Sequence, residues 1–177
     1  MSAVLTHTQL PPGYSSVSPF VAISGEEGAL GFVAFVCDVF EATETLAAHA
    51  VDADGLLIHA ELRLGDATIM VFDSKPDWPF TPALLQVYVS DAEAVLERSR
   101  AAGAEVITAP TEFFGGQRLA RLRDRWGNLW WLFEYGPDSR APSEQPNELP
   151  GWRPDPDAPE SYSHATLSAG MRGLTSP

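Results

Sequence analysis

The stretch "RLRDRWGNLWWLFEYG", Arg121 to Gly136, reads as a strand, a tight turn through Gly127-Asn128 and a second strand. Alternation along the second strand sends Leu129, Trp131 and Phe133 to one face and Trp130 and Leu132 to the other. Glu134 lies three residues beyond Trp131, and odd spacing places it on the opposite face.

Working outward, "LLQVYVSDAEAVLERSRAAGA" (84–104) reads as a strand at 84–89 and then a helix that opens with Ser90-x-x-Glu93 and closes at Gly103. The same plan stands earlier in the chain. "FVAIS" (20–24) is a strand, Ser24-x-x-Glu27 has the capping-box spacing, and Phe32, Phe35, Val36 and Val39 recur on one helical face. The two serines are 90 − 24 = 66 residues apart, and the two glutamates 93 − 27 = 66. Strand-like segments follow each helix: about 43–51, "LIHAELRLG" and "ATIMVFDS" in the first half; about 105–108, "QRLARLRD" and "NLWWLFEY" in the second. Each half is therefore β-α-β-β-β, and the linker "SKPDWPFTP", with Pro76, Pro79 and Pro82, interrupts sheet pairing between them.

The expected class is α+β with an N-terminal extension (1–18), a first module (19–75), a linker (76–83), a second module (84–136) and an irregular Pro-rich tail (137–177). The tail composition buries too little apolar surface to fold alone, and Trp152 and Tyr162 are its possible anchors. With 24 acidic against 11 basic residues the formal charge is −13, which repels nucleic acid and anionic membranes and steers cationic ligands inward. The first eighteen residues carry no signal-peptide pattern, and no apolar run reaches bilayer length. The single cysteine, Cys37, sits in the apolar helical pattern as a structural thiol and suits a cytoplasmic protein.

The two-module plan, the phrases "HAELRLGDATIMVFD" and "VYVSDAEAVLERSRAAGAEV" and the ending "RLRDRWGNLWWL" resemble the vicinal oxygen chelate superfamily of glyoxalases, bleomycin-resistance proteins and extradiol dioxygenases. The likeness covers roughly 19–135 and is nearest to bacterial glyoxalase/bleomycin-resistance-like proteins ending in Arg-Asp-Pro-x-Gly-x-x-Trp-Trp, with Arg125 in place of the proline. It implies two curved sheets forming a cleft, a homodimer and, in metal-dependent members, ligands on the first and fourth strands of each module. Those positions fall here near Pro19 or Phe20, near Met70, at about Leu84 with Gln86 two residues on, and at Trp131, where the family's metal-binding glutamate is replaced by an indole.

No cofactor is therefore expected, and a divalent metal would need His59, Glu61, Gln86 or Glu134 to converge despite their mismatched places. His59-x-Glu61-x-Arg63 reads first as a hydrated or salt-bridged strand face, and His7, His49 and His164 as solvated side chains. The inferred cleft lining is Thr68, Met70 and Phe72 from the first module and Leu84, Gln86, Tyr88, Leu129, Trp131 and Phe133 from the second. Phe114 follows Phe113 at a Gly115-Gly116 bend that can hold an aromatic over the mouth. Arg121, Arg123 and Arg125 alternate on one face, as an anion site or as a paired, solvated surface. No phosphate loop or catalytic triad is present.

The favoured expectation is a metal-free protein that sequesters an aromatic or amphiphilic small molecule. The alternatives are a metal-dependent lyase, isomerase or dioxygenase, and a structural dimer whose cleft is filled by its own side chains or its tail.

Overall fold

A computed structural model describes residues 10–139 and 160–174. The chain divides into two compact units, with the boundary between Ala83 and Leu84.

The first unit contains β1 (Phe20–Ile23), α1 (Gly28–Phe40), β2 (Thr43–Glu44), β3 (Ala50–Val51), β4 (Leu57–Leu64) and β5 (Ala67–Asp73). The strands form one sheet in the order β1-β5-β4-β2, with β3 also pairing with β4. The segment read as one strand at 43–51 is split, because a 3₁₀ turn at Leu46–Ala48 separates β2 from β3. Phe32, Phe35, Val36 and Val39 of α1 are buried, as the helical spacing predicts, and the sheet presents Val21, Ile23, Ala60, Leu62, Ile69 and Val71 on its buried side.

The start of α1 differs from the capping-box expectation. Ser24 does not cap it; Glu27 takes the cap position in a left-handed conformation without a side-chain bond. The carboxylate comes instead from the end of β5, where Asp73 Oδ1 accepts from Ala29 N at 2.6 Å and Oδ2 accepts from Leu57 N at 2.7 Å. A side chain at Gly28 would stand 2.5 Å from Asp73 Oδ1, so a glycine there admits the cap.

The second unit contains β6 (Leu84–Val89), α2 (Ala92–Ala101), β7 (Glu105–Glu112), β8 (Arg118–Arg123), β9 (Leu129–Glu134) and α3 (Tyr162–Arg172). Its sheet runs β6-β9-β8-β7. Leu85, Ala120, Leu122, Trp130 and Leu132 are buried together with Val95 and Leu96 of α2. The cap of α2 is one residue later than read, since Asp91 rather than Ser90 accepts from Ala94 N at 3.0 Å. Glu134 Oε2 also accepts from Ala92 N at 2.9 Å, repeating in this module what Asp73 does in the first.

The turn between β8 and β9 is built around one buried carboxylate. Asp124 accepts from Trp126 N (3.0 Å), Asn128 N (2.9 Å), the Asn128 amide and Trp130 Nε1 (2.8 Å). Burial raises its pKa above the ordinary value, and these four partners oppose that rise.

The tail is not irregular throughout: Tyr162–Arg172 form α3, capped by Ser161, which accepts from His164 N. Trp152, the other proposed anchor, lies outside the described residues, as does His7. No helix among the described residues is long and apolar enough to cross a membrane.

Asp124→Ala strips acceptors from several buried donors at once, each costing about 1–3 kcal/mol when left unpaired. Thermal denaturation is expected to show a loss of about 3 kcal/mol or more, whereas Arg125→Ala, whose side chain lies over the Trp126 ring, changes stability by less than about 1 kcal/mol.

Candidate functional site

Each sheet buries one face under its helix; the opposite, open face keeps Phe20, Leu84 and Tyr88 exposed but buries Glu61, Thr68, Leu119 and Arg121. Registers across these open faces make the two modules directly comparable. In the first, Phe20 pairs with Met70 and Met70 with Glu61. In the second, Gln86 pairs with Trp131 and Trp131 with Arg121. The offsets are 86 − 20 = 66, 131 − 70 = 61 and 121 − 61 = 60. The same offsets relate the pair Ile23 and Asp73 to Val89 and Glu134. At these rungs stand Phe20, Met70, Gln86 and Trp131, while Leu84, where the resemblance puts the first-strand position of the second module, lies two residues before Gln86 and pairs with Leu129.

On the first open face, Phe20 lies 5.2 Å from Phe72 and 5.7 Å from His59, and Phe72 lies 5.9 Å from Trp78, ring centre to ring centre. Phe20 (57% exposed) and Trp78 (49%) leave much of this cluster in solvent. Met70 is half-buried beside it.

The polar half of the face is organised by the N-terminal segment. Tyr14 donates to Glu61 Oε2 at 2.5 Å, and His59 Nε2 stands 3.3 Å from Glu61 Oε1. Gly13 O accepts from Thr68 Oγ1 at 2.8 Å and from the Arg63 guanidinium. Thr68, read as cleft lining, is thereby buried under the chain's own backbone. Tyr14 holds the Glu61 carboxyl below its ordinary pKa, with His59 adding to that effect against burial.

A divalent metal does not fit these residues. His59 and Glu61 are two donors, both Glu61 oxygens already face a partner, and no group of three His, Cys, Asp or Glu side chains suited to a metal occurs among the described residues. Glu134, the other carboxylate considered, is taken by the N-terminus of α2 and by Arg118 at 3.1 Å. The Cys37 thiol is half-buried, and burial pushes its pKa up, consistent with a structural role.

The open face of the second module carries a connected set of rings. Tyr88 lies 5.9 Å from Phe133 and 6.3 Å from Tyr135, and Phe113 packs edge-on to Phe133 at 5.6 Å. Gly115 and Gly116 adopt left-handed backbone (φ 70° and 74°) in the bend that follows Phe113. The Phe114 side chain lies outside what the structure describes. Leu84 and Gln86 are exposed on β6, Trp131 and Phe133 are half-buried, and Tyr88 is 59% exposed. Leu129 departs from the expectation: it is fully buried at the turn end of the ladder, where it pairs with Leu84 and Arg123.

Arg121 is 4% exposed, with its guanidinium 5.4 Å over the Trp131 ring. Nη1 donates to Thr108 Oγ1 (3.1 Å) and to Ser163 O of α3 (2.8 Å). Arg123 holds the other end of that helix through Gly173 O (2.6 Å) while pairing with Glu105. Tyr162 OH accepts from Ala109 N on edge strand β7, and Thr108 donates to Thr166. The arginine stripe thus divides: Arg121 and Arg123 hold α3, and Arg125 lies over Trp126. The sequence signals for α3 were Ser161 and Gly173 at helical cap spacing, masked by the surrounding Pro and Ser composition. Tyr14 had no signal, because its partner is 47 residues away.

A separate cavity of about 540 Å³ opens at the N-terminal end of α1 among Ser24, Gly28, Asp73, Lys75, Trp78 and Phe80. Lys75 is engaged there by Asp52, so it presents no unpaired charge.

Residues 30–132 match the family described as the Glyoxalase/Bleomycin resistance protein/Dioxygenase superfamily. Among curated proteins, the chain is similar to Mb0911c of Mycobacterium bovis, 29% identical over 128 residues that cover 66% of this chain and 81% of that protein. Among solved structures it is similar to TioX from Micromonospora sp. ML1, with TM-score 0.52, 25% identity, and 69% of this chain and 97% of that one covered. A glyoxalase/bleomycin resistance protein/dioxygenase family enzyme from Burkholderia phytofirmans shares the fold, with TM-score 0.52, 22% identity, and coverage of 64% and 94%.

Tyr14→Phe removes the bond that lowers the Glu61 pKa, so Glu61 should titrate closer to its ordinary 4.5 by NMR. A carboxylate with a depressed folded pKa contributes stability above its unfolded pKa and loses it as pH falls through the folded value. Acid denaturation curves should therefore show the variant losing less stability than wild type on acidification below pH 4.5.

Proposed function

The chain belongs to the glyoxalase/bleomycin resistance protein/dioxygenase superfamily, and on that premise we propose that it is a metal-free small-molecule-binding protein that sequesters an aromatic or amphiphilic compound. The observation that carries the reading is the exposed ring set on the second module's open face. Tyr88, Phe133 and Phe113 offer contiguous apolar area beside Trp131, with Gln86 and Arg121 as the polar groups that orient a ligand. A monomeric protein gains nothing in solvation by leaving such rings exposed, whereas a flat aromatic ligand buries them. Met70 and Phe72 of the first module are proposed as a second apolar surface of the same kind.

The metal-free part of the reading is supported by chemistry at the rung positions. Phe20, Met70 and Trp131 have no donor suited to a hard divalent cation. A homodimer in the cytoplasm completes the proposal, and equilibrium sedimentation tests the stoichiometry.

The competing reading is a metal-dependent lyase, isomerase or dioxygenase using His59 and Glu61, and it is favoured by one observation, their 3.3 Å proximity on an open face. Elemental analysis for Ni, Zn, Fe, Mn and Co after loading and dialysis separates the two. Sequestration predicts no stoichiometric metal, together with tryptophan fluorescence quenched by aromatic probes and an affinity at least about tenfold weaker in Trp131→Ala. About one retained ion per chain, lost in a His59→Ala, Glu61→Ala double variant, would instead establish the enzyme reading.

A further inference from the structure

We propose that the ligand of the second module carries a carboxylate-class anion that seats on Arg121, in competition with helix α3. The proposal rests on the reading of this face as a small-molecule site and names the chemistry that the site selects.

Arginine presents five N–H donors in a fixed fork. In Arg121 Nη1 is engaged by Thr108 Oγ1 and Ser163 O. Nε is buried and has no partner among the described residues. The Nε and Nη2 edge is the side-on fork that matches the two oxygens of a carboxylate. A buried donor left open in this way costs free energy that a bound acceptor returns.

The charge is equally uncompensated. Arg118 pairs with Glu134 and Arg123 with Glu105 on the same sheet, but Arg121 has no carboxylate partner among the described residues. This holds in a chain with 24 acidic residues, so the omission is not for want of carboxylates. Burial disfavours the charged form of Arg121, and nothing offsets it except neutral acceptors and the Trp131 ring. An anionic group joined to an aromatic body would supply the missing charge and, on the same face, stack among Trp131, Phe133 and Tyr88.

Helix α3 touches this arginine through the Ser163 carbonyl and is anchored by little buried surface. Among its eleven residues only Gly170 is buried, where a side chain would come within 2.8 Å of Ile107 Cγ2. Its polar holds are Tyr162 on Ala109 N, Thr166 with Thr108, and the Ser163 and Gly173 carbonyls on Arg121 and Arg123, beside the half-buried Ala165 and Leu167. The bond to the Ser163 carbonyl is already assisted by the guanidinium charge, and a carboxylate adds the opposite charge that the carbonyl lacks. Because the guanidinium is one rigid plane, a carboxylate seated on Nε draws it away from Ser163 O, and in this way anion binding and α3 docking oppose one another.

The test uses the full chain and two probes of one shape, 2-naphthoate and the neutral 2-naphthamide, titrated by tryptophan fluorescence. Hydrogen exchange over Tyr162–Arg172 is followed in parallel. The expected result is that naphthoate binds at least about tenfold tighter than the amide, with saturating naphthoate accelerating exchange in α3. Arg121→Gln should reduce naphthoate binding to the level of the amide, with circular dichroism and thermal denaturation reporting that the variant is folded. Gly170→Val weakens α3 without touching Arg121 and should tighten naphthoate binding.

Equal affinity for the two probes overturns the anion site while leaving the aromatic reading standing, and failure of both probes to bind removes both. A naphthoate preference that survives Arg121→Gln overturns the assignment to that residue. Unchanged or slower exchange in α3, or weaker naphthoate binding in Gly170→Val, overturns the competition.

Discussion

The buried carboxylate of Asp124 sets the geometry on which the candidate site depends. By accepting from two backbone amides, the Asn128 side chain and the Trp130 indole, it closes the β8–β9 turn in one register. That register puts Arg121 opposite Trp131 and Trp130 in the core. A slip of one residue would exchange the two tryptophans between faces, burying the ring that now meets the guanidinium. The desolvation cost of the carboxylate is accepted because the donors around it would otherwise be buried without partners.

With the register set, the two modules present equivalent rungs of opposite character. Glu61 and Arg121 occupy matching places next to Met70 and Trp131. Both Glu61 oxygens face a partner, Tyr14 or His59, whereas the buried Nε of Arg121 has none among the described residues. The formal charge of −13 suggested cationic ligands, and the local arrangement in the second module points to an anionic one. Long-range field and local pairing answer different questions: the first governs encounter, the second governs what is bound once water is excluded.

Much of the fold was legible because its signals are local. Period-two alternation in "NLWWLF" and helical spacing of Phe32, Phe35, Val36 and Val39 identified core faces that the structure bears out. The 66-residue spacing found in the cap sequences recurs between β1 and β6, while their parallel partners β5 and β9 are offset by 131 − 70 = 61 residues. The caps themselves were less legible. Asp91 displaced Ser90 by a single position, and Ser24 lost its role to Asp73, a residue 44 positions from the amide it binds. No spacing rule within a helix can anticipate a carboxylate delivered by a strand.

The sequence by itself determined the two β-α-β-β-β modules, the faces of their strands, and the absence of a donor at Phe20, Met70 and Trp131, because each follows from residue identity and short-range periodicity. Only the tertiary structure decided which open-face residues a ligand can reach. Gly13 and Tyr14 cover Thr68 and engage Glu61, α3 draws on Arg121, and Leu129 is sealed at the turn. Burial and polar satisfaction depend on segments some 40 to 55 residues away along the chain, and contacts of that kind leave no periodic trace in the residues they cover.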